Sequence, residues 1–327
     1  MSHPTVVDLF AGAGGLSEGF RQAGFKTVAA SELNETYAET FKTNHPEAIV
    51  IPGDIRKITV KKFLKLTNLK KEDIDVLVGG PPCQGFSMAG KRDPTDPRNT
   101  LFKEYVRFVK EIQPKFFVME NVRGLLTMKT SGGKNVSGII ETQFKKAGYK
   151  TKLFKVNAAD FGVPQKRKRI VFIGTNTTAE INEPTKTHSE TFQSSDSLER
   201  WVPVKTVLLS PEKVGPAYYL SQKLIKGFKR REIRNKKQKL GFGWQILDPE
   251  KPSYTISARY WKDGADALVK YSENKIRMLT QEEVAAVQTF PKDYKFIGTK
   301  RDIYTQIGNA VPPLLGRKIA ENVGKVI

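Results

Sequence analysis

A single cysteine, Cys83, stands behind two prolines in the run GGPPCQGFS. Prolines stiffen the backbone, and the run follows the apolar segment DVLVGG, so a thiol there is presented at a strand end. A buried spare thiol is the commoner fate of a lone cysteine. As a nucleophile Cys83 needs help, because a free thiol has a pKa of about 8.5. No histidine is near it in sequence, which leaves a helix N-terminus or the cations of QKRKR (165–169) to supply that help. Glu120 ends the nearly all-apolar segment KFFVMEN, where desolvation would raise its pKa and let it hold a proton near neutrality. A solvated strand-end acid is the alternative. Arg167 and Arg169 open the apolar run RIVFIG, and alternation along a strand would point both the same way. Surface charges are the bland reading of that pair.

A second constellation points to a ligand. The glycines of FAGAGG allow close backbone approach and start a helix whose N–H groups face outward. The spacing is not G-x-G-x-x-G, because Ser17 stands where the last glycine would be. Glu32 ends the next strand about 20 residues on, where an acid can hydrogen-bond a ribose diol. Asp54, in PGDI, can meet the purine of the same molecule. Together these imply a nucleoside-type cofactor.

The elements that must position these groups follow from periodicity. TVVDLF, KTVAASE, DVLVGG, KFFVMEN and TKLFKVN read as strands. SEGFRQAGF, TYAETFKTNH, LFKEYVRFVKEI and IIETQFKKAGY read as the helices between them. That alternation predicts an α/β fold with a doubly wound, mostly parallel sheet. RIVFIG follows TKLFKVN after only a loop, too short for a parallel crossover, so it is expected to return antiparallel. Ligands of open α/β sheets bind at the carboxyl ends of the parallel strands. FAGAGG, PPCQGFS, Glu120 with Asn121, and QKRKR therefore converge on one rim. The alternation stops near residue 175. A second, smaller mixed domain is expected over 179–274, with 1–178 and 275–327 forming the first. Within it, residues 223–241 hold nine basic residues and one acidic one. LTQEEVAAVQTF predicts a helix, and RDIYTQIGNAVPPLLGRKIAENV predicts a proline-interrupted helical tail that packs back on the first domain.

Composition narrows the partners. The formal net charge is +21 over 327 residues, with 55 Lys+Arg against 34 Asp+Glu. Such an excess favours a polyanion, through phosphate neutralisation and counterion release. One cysteine excludes an internal disulfide and any multi-cysteine metal site, and three scattered histidines make no zinc-like set. No metal is expected. No apolar run approaches the ~18 residues of a spanning helix. No signal-type leader is evident, so a cytoplasmic setting is expected.

In these motifs the chain resembles the cytosine-5 DNA methyltransferases. DLFAGAGGLSEGF is similar to that family's first motif and GGPPCQGFS to its nucleophile motif. MENVRGLL matches its Glu-Asn-Val motif, and NAADFGVPQKRKRIVFIG its Gln-x-Arg-x-Arg motif. LTQEEVAAVQTFP and YTQIGNAVPPLLGRKIAENV match its last two. The order is the family's, and only about 180–270 is unmatched, where the family keeps its target-recognition domain. One segment departs: Glu282-Glu283-Val284-Ala285-Ala286 stands where the family has Arg-Glu-x-Ala-Arg, so both arginines are missing.

The resemblance implies a class I, Rossmann-like methyltransferase fold and S-adenosyl-L-methionine as cofactor. It implies that Cys83 attacks carbon 6 of a flipped-out cytosine, that Glu120 protonates N3, and that Arg167 and Arg169 position the base and its phosphate. Phe10, Gly12, Gly14, Glu32, Leu33, Asp54, Ile55, Pro82, Leu101, Asn309 and Val311 match the family's cofactor contacts. Gln84, Ser87 and Thr255 match its DNA contacts. Arg259, in SARYW, is read as a base contact because arginine's fork pairs with guanine O6 and N7. Phosphate binding is its alternative role. The implied partners are double-stranded DNA and a cognate restriction endonuclease acting on the same site, with a monomer expected. A transfer-RNA cytosine methyltransferase is the competing reading. That type usually carries a Cys-Phe-Thr element, which is absent here.

Overall fold

The computed structural model describes residues 3–82, 101–130, 132–191, 197–238 and 244–327. Cys83, Gln84 and Ser87 lie outside them. The chain divides into two compact units, residues 1–157, 168–185 and 311–327 in one, and 158–167 and 186–310 in the other.

The first unit opens with β1 (Thr5–Leu9), α1 (Gly15–Gln22), β2 (Lys26–Glu32), α2 (Glu35–Asn44), β3 (Ile49–Pro52) and α3 (Val60–Thr67). It continues with β4 (Val76–Gly79), α4 (Leu101–Ile112), β5 (Phe116–Val122), α5 (Val136–Lys146), β6 (Lys150–Asn157) and β7 (Lys168–Thr175). Among the described residues these strands form one seven-stranded sheet, ordered β3-β2-β1-β4-β5-β7-β6. Only β7 runs antiparallel, against both β5 and β6. The expected α/β architecture and the antiparallel return of RIVFIG are both present.

The central strands read as continuous apolar runs because helices cover both faces. Val6, Val7, Leu77, Val78, Phe117 and Val118 are wholly buried. Phe117 stacks on Phe144 of α5 with ring centroids 3.9 Å apart, and Tyr105 of α4 meets both rings edge-on. Each such aromatic contributes about 1.5–3 kcal/mol by leaving water. The Tyr105 hydroxyl also donates to the carbonyl oxygens of Leu77 and Val118, pinning α4 across β4 and β5.

The second unit contains β8 (His188–Ser189), β9 (Glu199–Arg200), α6 (Gln222–Lys237), β10 (Leu268–Ser272), β11 (Lys275–Met278), α7 (Gln281–Val287) and α8 (Lys300–Asn309). Its core gathers Ile225, Phe228, Ile256, Tyr260, Leu268, Val284, Tyr304 and Ile307. Residues 158–167 and 275–310 pack within the second unit, because the apolar faces of α7 and α8 meet Ile256 and Tyr260.

A buried ion pair also joins β11 to α7. Arg277 of β11 forms a two-pronged pair with Glu283, Nη1 to Oε2 at 2.7 Å and Nη2 to Oε1 at 2.8 Å, both side chains fully buried. Glu283 also accepts the N–H groups of Leu209 and Thr280.

The tail splits. α8 stays in the second unit, while α9 (Pro313–Gly324) packs on α1 in the first. Gly19 makes the α1–α9 approach possible: a Cβ there would lie 2.5 Å from the Pro313 oxygen and the Arg317 nitrogen.

Candidate active site

Register builds the rim. Ser31, Leu9, Gly79 and Met119 sit side by side across β2, β1, β4 and β5. The next residue of each strand therefore lies on the carboxyl-end row: Glu32, Phe10, Gly80 and Glu120. The sheet order reverses between β1 and β4, which is where open α/β sheets leave a crevice. Phe10 of FAGAGG, Gly80 just ahead of PPCQGFS, and Glu120 thus share one row, all within one unit of the chain.

On the β1–β2 side, Phe10 has φ 58°, Gly12 56° and Gly14 86°. A bulky residue in that left-handed region costs of order 1–3 kcal/mol and persists only where its surroundings hold it. Phe10 is held by packing against the core of the sheet. The turn is fixed from outside by Glu32, whose Oε2 accepts the Gly12 N–H at 2.8 Å while Oε1 accepts the Asn34 N–H at 2.9 Å. Burial pushes the Glu32 carboxyl up, and those N–H groups oppose it.

Beneath the turn lies Asp8, which the motif reading did not single out. It is 1% exposed, accepts the Ser17 hydroxyl at 2.7 Å, and is pushed up to about 7 by burial. Ser17, the residue that breaks the glycine spacing, is thus the partner of this acid. A carboxylate inside the apolar run TVVDLF was the available signal.

These residues fit a nucleoside cofactor. Each Glu32 oxygen uses one lone pair on backbone N–H and keeps another for a diol. Leu33 follows it, 65% exposed, as an apolar surface at the same edge. Asp54 fits less directly. Its carboxylate is engaged by Arg56, Nη2 to Oδ2 at 2.6 Å, which holds it below the usual carboxylate range. Ile55 and Leu101 are buried, and Pro82 closes the described part of the β4 end. Val311 is buried in the same unit, just ahead of α9.

On the β4–β5 side, Glu120 has a cationic partner. Its Oε1 lies 2.8 Å from Arg169 Nε. Arg169 stands opposite Val122 and so diagonal to Glu120 on one face of the β5–β7 pair, within reach of a long side chain. Burial holds the Arg169 guanidinium below its usual range, and the Glu120 charge and hydrogen bond oppose that. A Cβ at Gly80 would come 3.3 Å from Glu120 Oε2, so the glycine lets backbone approach the acid. Asn121, quoted with Glu120 but given no role, donates from Nδ2 to the Pro81 carbonyl at 3.0 Å and so anchors the chain two residues before Cys83.

Arg167 does not join Arg169. β7 begins at Lys168, so strand alternation does not apply to it. It is 1% exposed in the second unit and donates to the carbonyl oxygens of Ile256, Gly308 and Asn309. Asn309, at the end of α8, is held there through its own backbone. Around Arg167, Gln165 donates to Gln288 and accepts the Ile256 N–H. Thr255 donates its hydroxyl to the Lys166 carbonyl at 2.6 Å, and Arg259 is exposed at the start of a short 3-10 turn.

The family model described as C-5 cytosine-specific DNA methylase matches residues 4–325. The chain is 40% identical to Type II methyltransferase M1.HphI of Haemophilus parahaemolyticus, over 98% of this chain and 87% of that protein. It is 35% identical to Type II methyltransferase M.NgoPII of Neisseria gonorrhoeae, over 98% and 96%. A prophage-encoded E. coli protein described as a DNA modification methyltransferase superposes with a TM-score of 0.73 at 25% identity, covering 99% of each chain. The S. pombe Dnmt2 methyltransferase shares the fold, with a TM-score of 0.74 at 17% identity and 99% coverage of each chain.

Proposed function

The chain belongs to the C-5 cytosine-specific DNA methylase family, and from that premise we propose that it methylates carbon 5 of a flipped-out cytosine in a specific duplex DNA site. S-adenosyl-L-methionine supplies the methyl group when bound, with the Phe10–Gly14 turn, Glu32 and Leu33 holding its nucleoside end. The Cys83 thiolate attacks carbon 6 of the cytosine, which makes carbon 5 nucleophilic. After methylation a water molecule takes the carbon 5 proton, the C–S bond breaks to release the thiolate, and N3 returns its proton to Glu120, which restores the ring. Glu120 hydrogen-bonds the ring at N3 and protonates it there, which stabilises the adduct.

The observation that supports this most directly is the Glu120–Arg169 pair beside Gly80 and the anchored Pro81. It puts an oriented acid next to the segment that leads into the nucleophile. Arg169 acts as the orienter of Glu120. Arg167 acts as a positioning residue, drawing the Ile256 and Gly308–Asn309 carbonyls together. The first unit serves catalysis and cofactor binding, and the second serves target recognition. Gln84, Ser87, Thr255 and Arg259 make the DNA contacts, with Arg259 reading a base.

The relatives' names support a role in a type II restriction–modification system, in which a cognate endonuclease cuts the same site. A monomer in the cytoplasm suits that role. Among the described residues no helix is long and apolar enough to cross a membrane. Incubating the purified protein with methyl-labelled cofactor and either duplex DNA or transfer RNA tests the reading. Label should enter DNA alone, and bisulfite sequencing of DNA from expressing cells should show one protected sequence. Label confined to RNA would overturn it.

A further inference from the structure

Helix α6 carries eight basic residues and one acidic one in sixteen positions. The cations divide into two groups. Lys229 pairs with Glu273, Arg231 with Asp263, and Lys236 with Glu232. Lys223, Lys226, Arg230, Arg234 and Lys237 are all exposed and have no acidic partner among the described residues. Their spacing of three, four, four and three keeps these five within an arc of about 80° at about 100° per residue. Ile225 and Phe228, on the opposite side, are buried in the core of the unit. Ser221 caps the helix start by accepting the Leu224 N–H. The helix is therefore fixed in rotation, and one unpaired basic stripe faces solvent.

Helix stability does not account for the stripe. Cations favour the last turn of a helix, which suits Arg234 and Lys237, but Lys223 and Lys226 sit in the first turns, where the dipole opposes them. Like charges three and four apart also repel, by about 0.2–0.5 kcal/mol per pair. An anionic partner relieves both. Residues 223 to 237 span about 21 Å at ~1.5 Å per residue. That matches roughly six base-pair steps of duplex DNA at about 3.4 Å each.

We propose that the exposed stripe Lys223–Lys226–Arg230–Arg234–Lys237 of α6 binds the phosphate backbone of duplex DNA without reading its sequence. This rests on duplex DNA being the substrate. The stripe holds the duplex by charge and leaves base choice to other residues of the unit.

The test replaces Lys226, Arg230 and Arg234 together by glutamine, which keeps helix propensity and removes charge. DNA affinity is measured by fluorescence anisotropy across a salt series, on duplexes with and without the methylated site. Each lost phosphate contact lowers the slope of log affinity against log salt by about 0.9. The triple variant should lose roughly two to three units of slope, by the same amount on both duplexes. Its kcat at saturating DNA should stay at the wild-type value while KM rises. The charge-keeping variant Lys226→Arg with Arg230→Lys and Arg234→Lys should retain the wild-type slope. If circular dichroism shows that the triple variant loses helix, Arg230→Gln and Arg234→Gln are read singly, at about one unit each. An unchanged slope in folded variants overturns the proposal, as does a loss confined to the site-bearing duplex. A wild-type protein that methylates no duplex DNA would instead fail the proposed function, whatever the stripe does.

Discussion

Glu120 and Arg169 meet at 2.8 Å because β7 runs antiparallel to β5 in a register that sets them diagonally on one face. In a parallel β7, Arg169 would enter from the opposite end of the sheet. The single reversed strand is thus what gives the rim its oriented acid.

The two side chains should therefore act as a unit. Glu120→Gln keeps size but cannot supply a proton, and a general acid is worth on the order of 10²–10⁴-fold in rate. Arg169→Met should cost a comparable factor, and the double variant little more than either single one, as for residues that work together. Single-turnover methyl transfer measures all three. Fully additive losses would show that the pair is independent.

Cys83→Ser should abolish methyl transfer while leaving the thermal midpoint and cofactor affinity near wild type. Substantial residual methylation, read by transfer of label to DNA, would exclude the covalent route.

Asp8 should make stability depend on pH. Its folded pKa, about 7, lies above the ordinary value of about 3.9. Between those values the folded state keeps a proton that the unfolded state has lost, so stability falls as pH rises from about 4 to 7 and levels above. The full effect is at most about 4 kcal/mol. Asp8→Asn still accepts the Ser17 hydroxyl and removes the titration. Relative to wild type, the variant should gain stability between about pH 4 and 7 and hold that gain above, read by urea unfolding. A pH-independent difference would contradict the assignment.

The buried Arg277–Glu283 pair should be costly to break and cheaper to replace. Glu283→Ala leaves a guanidinium uncompensated in the core of the second unit, a loss of about 3–5 kcal/mol. Arg277→Met with Glu283→Leu should be less damaging than Glu283→Ala alone. Thermal unfolding of the three proteins decides it. A double variant less stable than the single would rule out the stranded charge as the cause.

Much of this architecture was legible because β1, β4 and β5 are buried on both faces and therefore read as unbroken apolar runs between helical periods. In the first unit β3 and α3 were not. β3 is a four-residue edge strand ending in Pro52, and edges tolerate proline that a strand pattern rejects. α3 is short and lysine-rich, so little of it reads as core. At the site, Glu120 and the glycine turn announce themselves by residue type. The tasks of Asn121 and Asp8 depend on which strand lies next to which, and no local spacing carries that. The same holds for residues 275–310: their motifs resemble catalytic ones, yet their apolar faces pack in the second unit.

The closeness of α1 and α9 has a consequence for how the protein is made. The Gly19 face of α1 is covered by a helix that leaves the ribosome ~300 residues later. Until then the sheet's first helix keeps an open apolar flank, and the whole second unit has been synthesised in between. Contacts of such long sequence separation slow folding, because the intervening chain must be ordered before they form. Early folding intermediates of this chain should accordingly be sticky and dependent on holdase chaperones. A mutation that bulks out Gly19 should appear first as poor soluble yield, before any loss of specific activity in the molecules that do fold.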